Sequence, residues 1–429
     1  MRTGSLDSEP WNDPERLFAS LGLAAPSESV RATWPASQAT YPATRPEAIP
    51  FLAPSSIAEI CDRIALPAQL REAVSDALAV YDRHPALRRL AWHQHHRLAS
   101  TPMMRPVDVG WPVMPESLGP GGAFVHMHVL LSRVPALLAF HGEHGVPEDV
   151  TLATFADFPV WIEAYRTKRG VLGFDNPGWL TYGLTGRLYR LGRLQFEHTA
   201  FWLPIHVYRH RVDRRVVALA ADGQRFRDDG QCDGADGVSD AERGFTTRFT
   251  ADERTIIGHR ITPMGAASRE ATVLPAPEWR LVLQPGSPVL NMHIPRDGRM
   301  DHAGCGASIA QAFPFFDRLR AEWRGAAALV CASWLMDPQF EGRLEPTSNI
   351  VRFLSEFHLL PNPKASDAQT FERVFGGPVA DLDRAPQDSS LRRAIVAHAR
   401  AGGRWRDAAG FILRDDLDWG SRTYRRMDV

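Results

Sequence analysis

The sequence predicts an α+β (mixed α/β) protein, a mostly helical first part followed by a domain with a mixed sheet flanked by helices. Three observations lead there. The chain has 429 residues, enough for two or three domains of about 100–200 residues each. Helical periodicity dominates up to roughly residue 185, with apolar residues recurring at three- and four-residue steps. Beyond that point strand-like alternation sets in, and a strand–helix–strand–helix succession follows.

Taken in order, residues 1–50 are rich in Pro, Ser, Thr and Ala and read as an irregular arm after a short helical signal at PERLFASLGL. SIAEICDRIALPAQLREAVSDALAVYDRHPALRRLAWHQHHRLA is helical with a break at Pro67, because a proline ring removes a donor and clashes with the preceding turn. FVHMHVLLSRVPALLAFHGEHG (124–145) is a further helix closed by a glycine, which favours the left-handed cap, and TLATFADFPVWIEAYRTKRG (151–170) is another. These make a helical domain over residues 51–185. The second domain, 186–429, opens with RLYRLGRLQFEHTAFWLPIHVYRH, in which strand-like alternation appears. RDDGQCDGADGVSDAERG (227–244) is an acidic, glycine-rich loop of disordered composition. GFTTRFT, TIIGHRIT, EWRLVLQPGSPVLNMHIP, GAAALVCASWLM and GFILRDD are strand candidates. Between them lie helix candidates at 308–323, 348–357, 367–376 and 391–403.

Composition removes several function classes. A hydrophobic fraction of 44% and a charged fraction of 23% are those of an ordinary globular protein. A net charge of −1 gives no general attraction for nucleic acid or an anionic membrane surface. Cys61, Cys232, Cys305 and Cys331 are far apart and form no ligand spacing, so a reduced, cytoplasmic chain is expected. The N-terminal residues carry several acids and no apolar run, unlike a signal peptide. No run of about 18 consecutive apolar residues suggests a membrane span.

The chemistry-bearing residues cluster late in the chain. In VLNMHIPRDGRM (289–300), alternation puts Leu290, Met292 and Ile294 on one face of a strand and Asn291 and His293 on the other. That polar face is either a hydrogen-bonded structural pair or one wall of a cleft with a histidine general base. Ser308 is a candidate N-cap for the following helix. A helix start can hold a phosphate, and Gly304 and Gly306 would let a ligand approach the backbone. In the next strand Cys331 and Ser333 share a face; Cys331 is either a small buried hydrophobe or a nucleophile paired with His293. Glu197, in LGRLQFEHTAF, is a second candidate base or a salt-bridged structural carboxylate. The histidine groups WHQHH, HMH and HGEH lack a third ligand at a recognisable spacing, so no metal is expected.

The blocks LTGRLYRLGRLQFE, VLNMHIPRDGRM with ASIAQAFPFF, and VCASWLMDPQFEGRLEPTSNIVRFLSEF resemble, in order and spacing, a bacterial acyltransferase family. Its members join a helical N-acyltransferase N-terminal domain to a GNAT-like C-terminal domain. LSRVPALLAFHGEHGVPEDV and FADFPVWI look like the N-terminal part, and the match runs from about residue 50 to the end. The resemblance implies acyl-coenzyme A, or coenzyme A, as co-substrate, lying in a V-shaped gap between two parallel strands that splay apart. VLNMHIP and LVCASWLM would be those strands. Asn291, Ile294, Arg296, Arg299, Gly304, Gly306, Ser308 and Asn349 would contact the cofactor. His293 would be the base, Glu197 the second choice, and Ser333 a donor to the thiolate or oxyanion. The acceptor would be a small-molecule amine or hydroxyl, and an acyl carrier protein could replace coenzyme A as donor. DHAGCG departs from the family's pyrophosphate pattern by placing Asp301 where a neutral or cationic donor belongs. Two alternatives stay open: an O-acyltransferase or thioester hydrolase with Cys331 as nucleophile, and a non-catalytic acyl-coenzyme A-binding protein.

Overall fold

The computed structural model describes residues 11–41 and 49–426. The chain divides into two compact units, residues 1–190 and 191–429.

The first unit is helical. Pro14–Ser20 and Glu28–Ala39 are helices, so the expected irregular arm is in part ordered. Leu17, Phe18 and Trp34 are buried, and that burial outweighs the weak helix propensity of a Ser/Thr/Pro-rich segment. Pro67 separates helices Pro54–Arg63 and Ala68–Asp76 as expected. The run Pro120–Glu143 is long and apolar enough to cross a membrane, and 67% of its most apolar window is buried within the protein. It is broken at Ser132–Arg133 into helices Val125–Leu131 and Val134–Glu143. Ala156 likewise divides 151–170 into helices ending at Phe155 and starting at Asp157, the second closed by Gly170 at φ 76°.

The buried histidines of this unit are each tied to a neutral partner. His93 Nδ1 is 2.8 Å from Ser37 Oγ, His126 Nε2 2.8 Å from the Pro112 carbonyl and His141 Nδ1 2.8 Å from Thr151 Oγ1. His128 lies 2.8 Å from the Val74 carbonyl and 3.3 Å from the Tyr81 hydroxyl. They go to separate partners, and among the described residues no three His, Cys, Asp or Glu side chains gather as a metal site.

The second unit holds the mixed sheet. From Leu194 onward its strands are β1 (Leu194–Ala200), β2 (Pro288–His293), β3 (Ala328–Ser333), β4 (His358–Leu360) and β5 (Ala408–Leu413). The spatial order is β1-β2-β3-β5-β4. Only β2 and β3 run parallel; β1–β2, β3–β5 and β5–β4 are antiparallel. The β2–β3 crossover carries the helix His302–Leu319, as parallel neighbours require. A second, antiparallel sheet, from Ile205–His210 to Trp279–Leu283, is inserted between β1 and β2.

The loop 227–244 is held by its own charges, contrary to its disordered composition. Arg225 Nε donates to Asp233 at 2.8 Å, Asp233 accepts from Asp240 N–H at 2.7 Å, and Arg227 pairs with Asp229 at 3.1 Å.

Candidate functional site

The strand register shows where the sheet opens. β2 and β3 pair at Val289–Ala328, Leu290–Leu329, Asn291–Val330 and Met292–Cys331, and there the pairing stops. Yet β2 stays paired with β1 through His293–Gln195, and β3 stays paired with β5 through Ser333–Ala408. Each strand keeps its outer neighbour while losing the inner one. The two therefore diverge beyond Met292 and Cys331, leaving Ala332 exposed in the middle of a sheet.

The same register sorts the side chains. Asn291 is opposite Glu197 and His293 opposite Gln195, and directly opposed residues share a face. Gln195, Glu197, Asn291 and His293 thus form one polar group across two strands. Glu197 and Gln195 are buried, while the His293 side chain is 25% exposed. Asn291 Nδ2 lies 3.1 Å from His293 Nε2. An amide nitrogen only donates, so Nε2 accepts and the imidazole proton sits on Nδ1. Glu197 Oε2 is 3.9 Å from the same Nε2. A proton arriving at Nε2 would therefore meet a carboxylate already in place.

Cys331 and Ser333 are on the other face. Cys331 is opposite Met292 and 1% exposed, and burial, reinforced by Cys305, pushes its thiol up to about 12. The thiolate is the reactive form, so this site does not prepare a nucleophile, and the Cys331–His293 pair is not assembled. Ser333 Oγ accepts the Leu335 N–H at 3.2 Å and caps the short helix Trp334–Met336. The two residues expected on the facing wall are brought to the helix-covered side instead, because the alternation of β3 is in phase with Met292, not with His293.

Beyond β2 the loop is clasped from the β1 side. Arg193 Nη2 donates to the carbonyls of Pro295 at 3.1 Å and Gly298 at 3.3 Å, and Nε to that of Arg299 at 3.0 Å. Arg296 and Arg299 are exposed and Ile294 half-buried. The helix begins six residues earlier than expected, at His302, with Asp301 as its cap. Asp301 accepts the Gly304 N–H at 2.6 Å. Ser308 is inside the helix and buried; it donates to the Leu191 carbonyl and accepts from Leu194 N–H at 2.9 Å. It joins helix to strand and is not an N-cap. Gly306 packs under the Trp419 ring, where a Cβ would collide. Asn349 is exposed at the first position of the helix Asn349–Leu354. Of the expected cofactor residues, Asn291, Ile294, Arg296 and Arg299 lie along one strand and its continuation, whereas Gly306 and Ser308 serve packing.

Two contributors escaped the sequence reading. Arg193 looks like any surface arginine until the β1 turn brings it to the loop. His302 Nδ1 accepts from Arg352 at 3.2 Å, so its Nε2–H donates to Glu356 at 3.0 Å. Glu356 also accepts the N–H groups of Gly420 at 3.0 Å and Arg422 at 3.2 Å. Glu356 lies just past the helix Asn349–Leu354 and its Ser355 cap, so no helical spacing marks it in the sequence.

Residues 55–186 match the family described as N-acyltransferase N-terminal domain, and residues 188–412 match the GNAT-like C-terminal domain. The chain belongs to this two-domain GNAT-like acyltransferase family. Solved structures of an acyltransferase resemble it along its length. One, in complex with decanoyl-CoA and teicoplanin, is 27% identical over 94% of this chain and 99% of that chain, with a TM-score of 0.62. Another, with CoA and 10C-teicoplanin, is 26% identical over 94% and 99% of the two chains, TM-score 0.62. A tryptophan-to-alanine variant with octanoyl-CoA is 26% identical, with the same coverage and TM-score. No protein of curated function matches the chain. The family reading agrees with the geometry: one parallel strand pair that opens at its C-terminal end beside a polar face.

Proposed function

We propose that this acyltransferase moves an acyl group from acyl-coenzyme A to an amine of a small molecule by direct attack. The observation that carries the reading is the loss of β2–β3 pairing after Met292 and Cys331 while both strands keep their outer partners. Such an opening admits a narrow thioester arm between backbones that are free to bond to it. The acyl-CoA ligands of the similar acyltransferase structures support the donor, and teicoplanin in one of them supports a small-molecule acceptor.

In this reading the acceptor nitrogen attacks the thioester carbonyl, and the N–H proton passes to His293 Nε2. The C–N bond forms, the C–S bond breaks, and coenzyme A leaves as a thiolate that takes up a proton. Asn291 donates to Nε2 and orients the ring in the resting protein, and that hydrogen bond is given up as the amine proton takes the Nε2 lone pair. Glu197, 3.9 Å away, stabilises the imidazolium formed during it, the role a neighbouring carboxylate plays toward a charged histidine. Cys331 has no part, and no covalent acyl-enzyme forms.

The test is incubation of the purified chain with decanoyl-CoA and a panel of primary amines and matched alcohols, read by mass spectrometry and by thiol release. The expected result is an amide product with stoichiometric free coenzyme A. Ester product alone, or thiol release without any acylated acceptor, would overturn the reading.

A further inference from the structure

Residues 294–301 continue β2 and lead into the helix His302–Leu319. This stretch is fastened at three places. At its start the sheet holds it, since His293 is still paired with Gln195. Along its length Arg193 holds the carbonyls of Pro295, Gly298 and Arg299. Its far end hangs on His302, and there the fastening comes from two segments outside the strand pair.

Both ring nitrogens of His302 are engaged. Nδ1 accepts from Arg352, and Nε2–H donates to Glu356 Oε1 at 3.0 Å. The His302 carbonyl accepts from Trp419 Nε1–H at 2.8 Å, and its ring stacks on that indole with centroids 4.8 Å apart. Gly306, one turn on, makes room for the indole, because a Cβ there would lie 2.4 Å from Trp419 Cδ1. The second Glu356 oxygen accepts the N–H groups of Gly420 and Arg422. One buried carboxylate thus joins the first turn of the helix to residues 419–422. Burying a carboxylate is a poor way to gain stability, since desolvation offsets most of its attraction. What charge-assisted bonds supply is direction. The element given direction here is the turn at which the line from Asn291 to Arg299 ends.

We propose that Glu356, with Trp419, is a positioning residue for the acyl donor. It holds the first turn of the helix against residues 419–422 and so fixes the far end of the β2 continuation, along which the coenzyme A moiety lies. The proposal rests on the acyl-coenzyme A reading above.

Steady-state kinetics of the full chain with two donors test it. The donors are decanoyl-CoA and the decanoyl N-acetylcysteamine thioester, which lacks the nucleotide and every phosphate. Glu356→Gln keeps an oxygen for the Gly420 and Arg422 N–H groups but turns an NH2 toward His302 Nε2–H. It releases the helical turn without unfastening residues 419–422. Gly306→Ala pushes the indole off the same turn by a change that helices favour. Each variant is expected to raise KM for decanoyl-CoA roughly 10-fold, the loss of one charge-assisted hydrogen bond or its equivalent, with kcat within about three-fold of wild type. Turnover of the N-acetylcysteamine thioester should stay within about two-fold, which a misfolded variant could not show. A role in stability alone would lower the melting temperature and cut both donors equally. Wild-type KM for decanoyl-CoA in either folded variant, or equal losses with both donors, would overturn this proposal alone. A wild-type chain that neither binds coenzyme A nor turns over decanoyl-CoA would overturn the donor reading and this proposal with it.

Discussion

Five histidines of the helical unit and His293 of the sheet carry the same imidazole in opposite surroundings. His93 is held down to about 3, and His95, His126, His128 and His141 to about 4, in each case first by burial. Their hydrogen-bond partners are hydroxyls and carbonyls, which hold a neutral ring well and help a charged one little. His293 keeps a quarter of its side chain exposed and has a carboxylate 3.9 Å from the nitrogen that would take a proton. The difference teaches that a histidine's use is set by what surrounds its second nitrogen. Four buried rings and the half-buried His95 meet neutral partners and suit scaffolding, whereas one accessible ring beside a carboxylate suits the proton transfer proposed for it.

The largest effect expected from this contrast is at His293. His293→Ala should lower kcat/KM by roughly 10²- to 10⁴-fold, the usual contribution of a positioned general base. Thermal stability should change little, since the ring is only partly buried. Steady-state kinetics with decanoyl-CoA between pH 6 and 9 provide the check, and turnover near the wild-type value throughout would mean that the base lies elsewhere. Glu197→Gln comes next. Two charges about 4 Å apart interact by roughly 1–4 kcal/mol between aqueous and surface-like screening, so a 10- to 100-fold loss is expected. It should fall on kcat and leave KM nearly unchanged, because the carboxylate matters once the proton has moved. A loss confined to KM would recast Glu197 as a substrate contact.

The contrast was only partly legible in the sequence. Alternation alone put Asn291 and His293 on one face, and the strand confirms that face because a sheet's period of two is rigid. The helix boundary at His302 was missed because a serine with good capping chemistry, Ser308, competed with an aspartate that the family pattern marked as a misfit. Asp301 makes the cap, and Ser308 turned out to be buried between helix and strand. The relative phase of β2 and β3 was not legible at all. Periodicity fixes which residues of one strand share a face, but the register that couples two strands is a tertiary property. That is why Cys331 and Ser333 were expected opposite His293 and lie on the other side, and why Glu197, from a strand some ninety residues away, lies beside it. The order in loop 227–244 is hidden for a related reason: an acidic, glycine-rich composition does not show that Arg225 and Arg227 fold among the acids.

Scaffolding histidines should reveal themselves through stability and its pH dependence. His128→Phe removes the partner of the buried Val74 carbonyl, which costs about 1–3 kcal/mol when left unsatisfied. The folded-state pKa of His128, about 4, lies below the unfolded value near 6.5. The unfolded chain therefore binds the proton more tightly, and the contribution of this ring is complete above about 6.5 and is lost as pH falls toward 4. Urea denaturation should thus show a deficit for the variant at pH 8 that shrinks at pH 5, with turnover per folded molecule kept. A deficit that grows on acidification would show that His128 is charged in the folded protein.

The smallest effect is expected at Cys331, which extends the contrast to the two faces of one sheet. Its thiol lies beside Met292, one residue from His293 in sequence and on the opposite face. With the thiol pushed up to about 12 by burial, less than about one molecule in ten thousand carries a thiolate at pH 7.5, by the ten-fold change per pH unit. Iodoacetamide should leave Cys331 unmodified in the native chain and label it only after unfolding, as peptide mass spectrometry would read. Cys331→Ala removes a single sulfur from the core, so turnover is expected within about three-fold of wild type, with a stability loss of roughly 1 kcal/mol. Complete loss of turnover in a variant that still melts cooperatively would return the thiol to the mechanism and move the catalytic face to the other side of the sheet.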